Sequence, residues 1–382
     1  MPRKLTWAEV WRRRLRRHHL LEPTPRDRML DVVGQVCAIH AQIATSAELS
    51  LGLRVRDIAR EDVSRALWHD RTLVKTYGLR GTLHIFPAHE FGLWTAALRA
   101  KVPPRGPSAN ELEAVPADRR DQLIETLCAA LDGGPLTRDE LEAEIAQRLG
   151  PWVTEAAFPA FGGQWPRWQL GLHQAALAGL VVAGPPRGNR VTYVRTVDWL
   201  GPVQHVDGQV ALREVCRRFL DAYGPATPAE FARWFYTRPA AARELMHSLD
   251  LEEVDVEGWQ AWLPRGAVLD APDRQPSAHL LPQFDCYVVG GFPRDRLIPA
   301  AAPVPLQRGT AAPFAVVLID GVVAGLWERR RRGTVLEARI HTFERINRSQ
   351  RRALEQQAER VAEILQLRAE VEFGPVEPRH HL

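Results

Sequence analysis

The chain has 382 residues, a formal net charge of +4, 45% hydrophobic and 25% charged residues, the values of a globular protein large enough for two to four domains. Charges or prolines interrupt every apolar run short of membrane-spanning length, and the N-terminus turns amphipathic without a signal-peptide core, so the cytoplasm is the expected compartment and no membrane partner is expected. Cys37, Cys128, Cys216 and Cys286 are far apart with no Cys-x-x-Cys pair, which argues against a zinc ribbon, a local iron–sulfur motif or a disulfide scaffold; no metal and no other cofactor is expected.

Residues 1–30 carry nine Lys/Arg against three acids, a cluster that suits phosphate contacts and equally well a solvated basic face. Lysine occurs only at 4, 75 and 101, so arginine abundance reads partly as the mark of a GC-rich genome. Thr6-Trp7-Ala8-Glu9 has the capping-box form and predicts a basic helix through about Leu20. Pro23 and Pro25 end it, and a second helix starts near Arg26 and runs toward Val36-Cys37-Ala38-Ile39-His40-Ala41-Gln42-Ile43-Ala44. That stretch places two polar side chains, His40 and Gln42, two residues apart among apolar neighbours. In a continuing helix they point about 200° apart. In extended chain they face the same way, and both can reach one small target, such as a water between an imidazole and a carboxamide. On spacing alone, a hydrogen-bonded core His beside a surface Gln is the favoured reading.

A further helix is predicted over 60–67, then short strands over 73–77 and 81–86 around Gly78-Leu79-Arg80. Residues 89–100 resume as helix, and Pro103-Pro104-Arg105-Gly106-Pro107 is a linker. The next two segments repeat one pattern. The helix 123–131 leads to Gly134-Pro135-Leu136 and the capping box Thr137-Arg138-Asp139-Glu140, and the helix 215–220 leads to Gly224-Pro225-Ala226 and Thr227-Pro228-Ala229-Glu230. The two caps lie 90 positions apart, each opening an apolar-periodic helix. A third helix follows each (168–178 and 240–248), and then a hairpin. The first pairs 180–183 with 191–194 across a turn at 184–189, and the second pairs 253–256 with 259–262 about Glu257-Gly258. Helix, turn, helix, helix, hairpin is the order of a winged helix-turn-helix. The first hundred residues can be read as a more elaborated copy.

From His279 short strand-like pieces take over: 286–290, 314–319, 321–327 and 334–340, with Asp320-Gly321 as a hairpin turn. A charged amphipathic helix over 349–367 and a last strand over 370–373 complete a small β-barrel or curled sheet. The predicted segments are 1–105, 108–200, 207–270 and 278–382.

Ala38-Ile39-His40-Ala41-Gln42 after an amphipathic helix, Arg80-Gly81-Thr82-Leu83-His84, and Leu281-Pro282-Gln283-Phe284-Asp285-Cys286-Tyr287-Val288-Val289-Gly290 with Asp295-Arg296 form one set. Together they resemble the winged-helix DNA glycosylases of the AlkZ and YcaQ family, from roughly Thr6 to Phe373, and Leu-Leu-Pro-x-Phe-Asp is the most specific piece. The resemblance implies an α+β fold of three tandem winged helix-turn-helix motifs and a small C-terminal β-barrel, forming a C-shaped clamp on double-stranded DNA. It implies hydrolysis of the N-glycosidic bond of bulky alkylated purines of the N7-alkylguanine type, interstrand crosslinks included, in repair or in self-resistance to a genotoxic natural product. A monomer is expected. The family's catalytic pair is usually Gln-x-Gln or Gln-x-Asp. Here His40 takes the first position and Gln42 the second, and a neutral imidazole can accept a proton as well as hold a water.

Arg80 and His84 flank the short strands and can touch the DNA backbone, although for His84 a turn-capping role is the stronger expectation. Asp285 is expected to order the barrel entrance through loop N–H groups rather than to catalyse. Arg329, Arg330, Arg331 and Arg332, on a hairpin tip, can enter a groove or grip phosphates. A lyase would need an amine nucleophile, and none of the three lysines is near the His40 stretch, so simple hydrolysis is expected. The competing reading is a non-enzymatic winged-helix regulator or adduct sensor, which has no need of a His-x-Gln pair. No acidic metal-binding cluster speaks for a nuclease.

Overall fold

The computed structural model describes residues 2–104, 115–160, 163–269, 277–303, 306 and 314–376; part of the 103–107 linker lies outside them. The fold is α+β. The described residues form two compact units, one from Met1–Ser64, Cys216–Phe231 and Leu245–His381, the other from Arg65–Val215 and Ala232–Glu244. The predicted segment 207–270 is therefore divided between the two units.

In the first unit Thr6 caps the helix Trp7–Arg17 with the predicted box, Glu9 reaching back to the Thr6 N–H at 2.7 Å. Trp7 and Trp11, one turn apart, stack at 5.3 Å, and Trp259 stacks on Trp7 at 5.2 Å, so these tryptophans are core. The basic cluster is only partly a surface. Arg13 and Arg14 are buried, and Arg14 donates to the carbonyls of Pro225 and Phe292. Burial lowers its pKa to about 10 against the attraction of Tyr287 and Glu230. These cations satisfy carbonyls inside the protein and are not available to phosphate.

The hairpin Leu251–Val256 with Trp259–Pro264 forms as predicted. Its turn residues Glu257 and Gly258 both have positive φ (50° and 93°), the backbone that matches strand twist in a two-residue turn. Strand Arg3–Leu5 then adds to it in parallel, Arg3 opposite Val254. Three residues without periodicity carry no local signal for a pairing so distant in sequence.

The C-terminal sheet has five strands in sequence order, Ala278–Leu281, Val316–Ile319, Val322–Arg332, Val335–Thr342 and Arg368–Phe373. The last pairs in parallel with its neighbour and the others antiparallel. Helix Arg348–Ile364 makes that parallel return possible and buries Leu354, Ala358 and Val361 against the sheet. The first and last strands do not pair, so the sheet is a half-barrel. One expectation fails here. Cys286–Gly290, read as a strand from its β-branched run, is a helix, because the Asp285 carboxylate accepts the Tyr287 N–H and caps it. Capping and tertiary packing outweigh the modest β propensity of Val288 and Val289.

In the second unit Leu73–Tyr77 and Leu83–Pro87 pair antiparallel, Thr76 opposite His84. Thr137 and Glu140 form the predicted box opening Arg138–Leu149. The hairpin Val181–Arg187 with Arg190–Arg195 extends further than predicted. Its strands run through Gly184, Pro185 and Pro186 with an irregularity before Arg187, and the turn is Gly188-Asn189. The hairpin Ala156–Ala160 with Gly163–Pro166 was not foreseen. Helices Ala117–Ala130, Arg138–Leu149 and Arg167–Leu177 enclose a core of Leu123, Leu127, Leu141, Ile145 and Trp168.

Candidate active site

Helix Met29–Gln35 leads into the His40 stretch and stops abruptly. Its end is a Schellman motif: the Ala38 N–H donates to Val33 O at 2.9 Å and the Cys37 N–H to Gly34 O at 3.2 Å. The turning residue of such a cap is usually glycine. Here Cys37 has φ 62° and Ala38 φ 82°, and each left-handed L-residue costs roughly 1–2 kcal/mol. The surroundings hold the turn: Val36, Cys37 and Ala38 are buried, and the Tyr223 hydroxyl donates to Val36 O at 3.0 Å. The chain is then extended at Ile39–His40, and helix resumes at Ala44–Gly52. The continuing-helix geometry, with its wide separation of His40 and Gln42, does not occur.

His40 is 7% exposed, between Ile39 and Ala41 at 0%, while Gln42 is exposed. The imidazole lies face to face with the Phe284 ring, centroids 4.9 Å apart and planes 12° from parallel. Phe284 belongs to the Leu-Pro-x-Phe-Asp stretch, and Asp285 beside it is wholly buried with Arg54. Arg54 Nη2 donates to Asp285 Oδ1 at 2.6 Å, Nη1 to Oδ2 at 2.8 Å, and the Ser50 hydroxyl to Oδ2 at 2.7 Å. Burial works against the Arg54 charge, yet the attraction of Asp285 outweighs it and raises the guanidinium pKa above its ordinary value. Ser50 belongs to the helix after the His-x-Gln stretch and Arg54 follows its end, so the ion pair ties together two stretches far apart in sequence. The Asp285 expectation gains a sharper form: it caps Cys286–Gly290 and pairs with Arg54.

Arg330, Arg331 and Arg332 are exposed on the strand leading to the Gly333-Thr334 turn. Arg329 differs from them. Half-buried, it turns back and donates to Thr45 Oγ1 at 3.1 Å, and burial lowers its pKa against the pull of Glu48. The hairpin is thereby tied to the helix that begins just after Gln42.

Arg80 and His84 lie in the other unit. Arg80 has φ 53° and donates to Trp234 O at 2.9 Å. His84 is 2% exposed and its Nδ1 is 2.9 Å from Thr82 O, the turn-capping role rather than a surface one. Near Arg80, Lys101 is set over the rings of Phe235 and Tyr236 at 5.7 and 5.9 Å. Burial first, and repulsion from Arg80 second, lower its pKa to about 8. Phe284, Ser50, Arg54 and Lys101 were not singled out from the sequence; only Phe284 had a signal, its place inside the most specific motif. Among the described residues no group of three or more His, Cys, Asp or Glu is arranged to hold a metal, and no helix is long and apolar enough to cross a membrane.

A buried imidazole and an exposed carboxamide thus lie at a strained break between helices in an α+β fold, and an arginine-bearing hairpin is tied to the helix that follows. A family model described as DNA glycosylase AlkZ-like matches residues 33–364, and the chain belongs to that family. It is 32% identical over 341 residues to the interstrand DNA cross-link repair glycosylase of Streptomyces sahachiroi, covering 85% of this chain and 88% of that protein. The solved structure of Streptomyces sahachiroi DNA glycosylase AlkZ superimposes with a TM-score of 0.79 at 28% identity, covering 97% of this chain and all of that one.

Proposed function

We propose that this DNA glycosylase hydrolyses the N-glycosidic bond of bulky alkylated purines in duplex DNA, N7-alkylguanine adducts above all, with His40 and Gln42 handling the water. The observation that carries the reading is the buried His40 imidazole at the strained break before Ala44–Gly52. An N7-alkylated guanine already carries positive charge and leaves as a neutral base without an acid on the enzyme. The sugar, which develops oxocarbenium character, and the attacking water are what remain to be helped. A neutral imidazole orients the water and takes its proton, while the Gln42 carboxamide fixes it by hydrogen bonds. The likeness to the Streptomyces sahachiroi interstrand DNA cross-link repair glycosylase supports extending the substrate range to crosslinked purines.

The helix–helix–helix–hairpin order around Arg138–Leu149 and around Pro228–Phe235 supports two winged helices. The first hundred residues, with the Leu73–Tyr77 and Leu83–Pro87 hairpin, make a third on this reading. Arg330, Arg331 and Arg332 grip phosphates, with Arg80 as a further backbone contact.

The test is base release from a duplex carrying one bulky N7-alkylguanine, comparing wild type with His40→Ala and Gln42→Ala. Free adducted base and an alkali-labile abasic site, absent in both variants, are expected; tight binding without release across several adducts would make the protein an adduct sensor. Borohydride is expected to trap no protein–DNA adduct, since the mechanism is hydrolytic.

A further inference from the structure

Phe284 has no part in the chemistry assigned above, yet its ring lies flat on the imidazole that does. Its backbone is unusual as well. At φ 59° it occupies the left-handed region, where a bulky L-residue is strained and glycine is not. What holds it there is the next residue, the wholly buried Asp285 carboxylate, gripped by two Arg54 N–H groups, the Ser50 hydroxyl and the Tyr287 N–H. Ser50 lies within Ala44–Gly52, so the connections close a circuit. They run from the His-x-Gln stretch through its following helix to Arg54, across the ion pair to Asp285, and by way of the Phe284 ring back to His40.

We infer that Phe284 is a positioning residue for the His40 imidazole, with Ser50, Arg54 and Asp285 holding the strained backbone that presents its ring. The inference rests on the assignment of His40 to the water. An imidazole on a short extended segment rotates about two side-chain torsions, and a water-activating nitrogen must point along one direction. A flat ring packed in parallel on one face removes much of that freedom. It also keeps solvent from that face and leaves the ring edge, where the nitrogens accept, as the route for water. Misplacing a catalytic group by about 1 Å costs up to about 100-fold in rate. The geometry asks for a flat face, so Tyr can replace Phe284 and Leu, similar in bulk, cannot. The circuit also gives the Leu-Pro-x-Phe-Asp stretch a role: Asp285 anchors it and Phe284 delivers it to the site.

The experiment uses the full chain and a duplex carrying one bulky N7-alkylguanine. Single-turnover excision rate and duplex affinity are measured for wild type, Phe284→Leu, Phe284→Tyr, His40→Ala, His40→Gln and the double variant Phe284→Leu with His40→Gln. Thermal unfolding checks that each is folded. Phe284→Leu is expected to slow excision about 10- to 100-fold with affinity unchanged, and Phe284→Tyr to restore most of the rate. In the His40→Gln background, where no imidazole remains to be oriented, Phe284→Leu is expected to cost much less. A folded Phe284→Leu enzyme at full rate, with His40→Ala inactive, would overturn the positioning role and leave the His40 assignment standing. So would an equal loss from Phe284→Leu in both backgrounds. Full activity in His40→Ala would overturn both.

Discussion

The Arg54–Asp285 pair is buried on both sides, bidentate and close, and such a pair is far more costly to break than it is stabilising to possess. Asp285→Asn keeps the shape and removes the countercharge, stranding the Arg54 guanidinium in the core. A loss of about 3–5 kcal/mol is expected, read as a lowered denaturant midpoint with unchanged m-value. Replacing both residues with apolar ones of similar size should lose less than the sum of the two single changes. That pair was not legible in the sequence, because nothing local distinguishes Arg54 from its many neighbouring arginines. His40 and Gln42 were legible, since a spaced polar pair in an apolar run is a local feature. Their orientation, His40 buried and Gln42 exposed, was not, because it depends on whether the chain leaves the helix. That is decided by a Schellman turn built on Cys37 and Ala38, where no glycine marks the spot.

At the level of elements, the capping boxes were the most dependable signals. Thr6, Thr137 and Thr227 each face their predicted glutamate. Thr137→Ala should destabilise the protein by about 1 kcal/mol, measurable by chemical denaturation, with excision unaffected. The arginine hairpin divides by position. Arg330, Arg331 and Arg332 stand on its exposed arm. On the proposed reading, the slope of log affinity against log salt becomes shallower by about 0.9 for each phosphate no longer neutralised. Their combined replacement by alanine should therefore weaken binding at low salt and flatten that slope, whereas a slope equal to wild type would remove them from the interface. Arg329, tied to Thr45, is expected to affect excision as well as binding. Strand Arg3–Leu5 escaped the sequence reading because its partner strand is distant in sequence, and helix Cys286–Gly290 because the cap from Asp285, itself held by the distant Arg54, outweighs a weak local β preference.

The whole molecule carries histidines that resist protonation. Burial comes first for His18, His173 and His279, with Arg54 repelling His18 and His279 and Lys101 repelling His173. It sets the pKa of His18 well below the ordinary value and those of His173 and His279 at about 4, with Asp285 only partly opposing for His279. Below about pH 6.5 the unfolded chain binds protons at these sites that the folded protein does not. Stability is therefore full above that pH and falls as pH drops toward 4, by up to about 1.4 kcal/mol per pH unit per histidine. Denaturation between pH 4.5 and 7.5 should show this slope, and His279→Leu should reduce it by about one group's share.

By itself the sequence determined the helices opened by Thr-x-x-Glu capping boxes, the hairpin about Glu257-Gly258, and the α+β class, and it singled out the His40 stretch on which the proposed chemistry rests, since all of these are written in spacings of a few residues. Tertiary structure alone decided that the C-terminal sheet stays a half-barrel, that Arg13 and Arg14 face inward, and that Phe284 lies on His40. Each of those depends on which distant surfaces meet, and burial makes a buried charge or a strained residue tolerable only once its partner is in place.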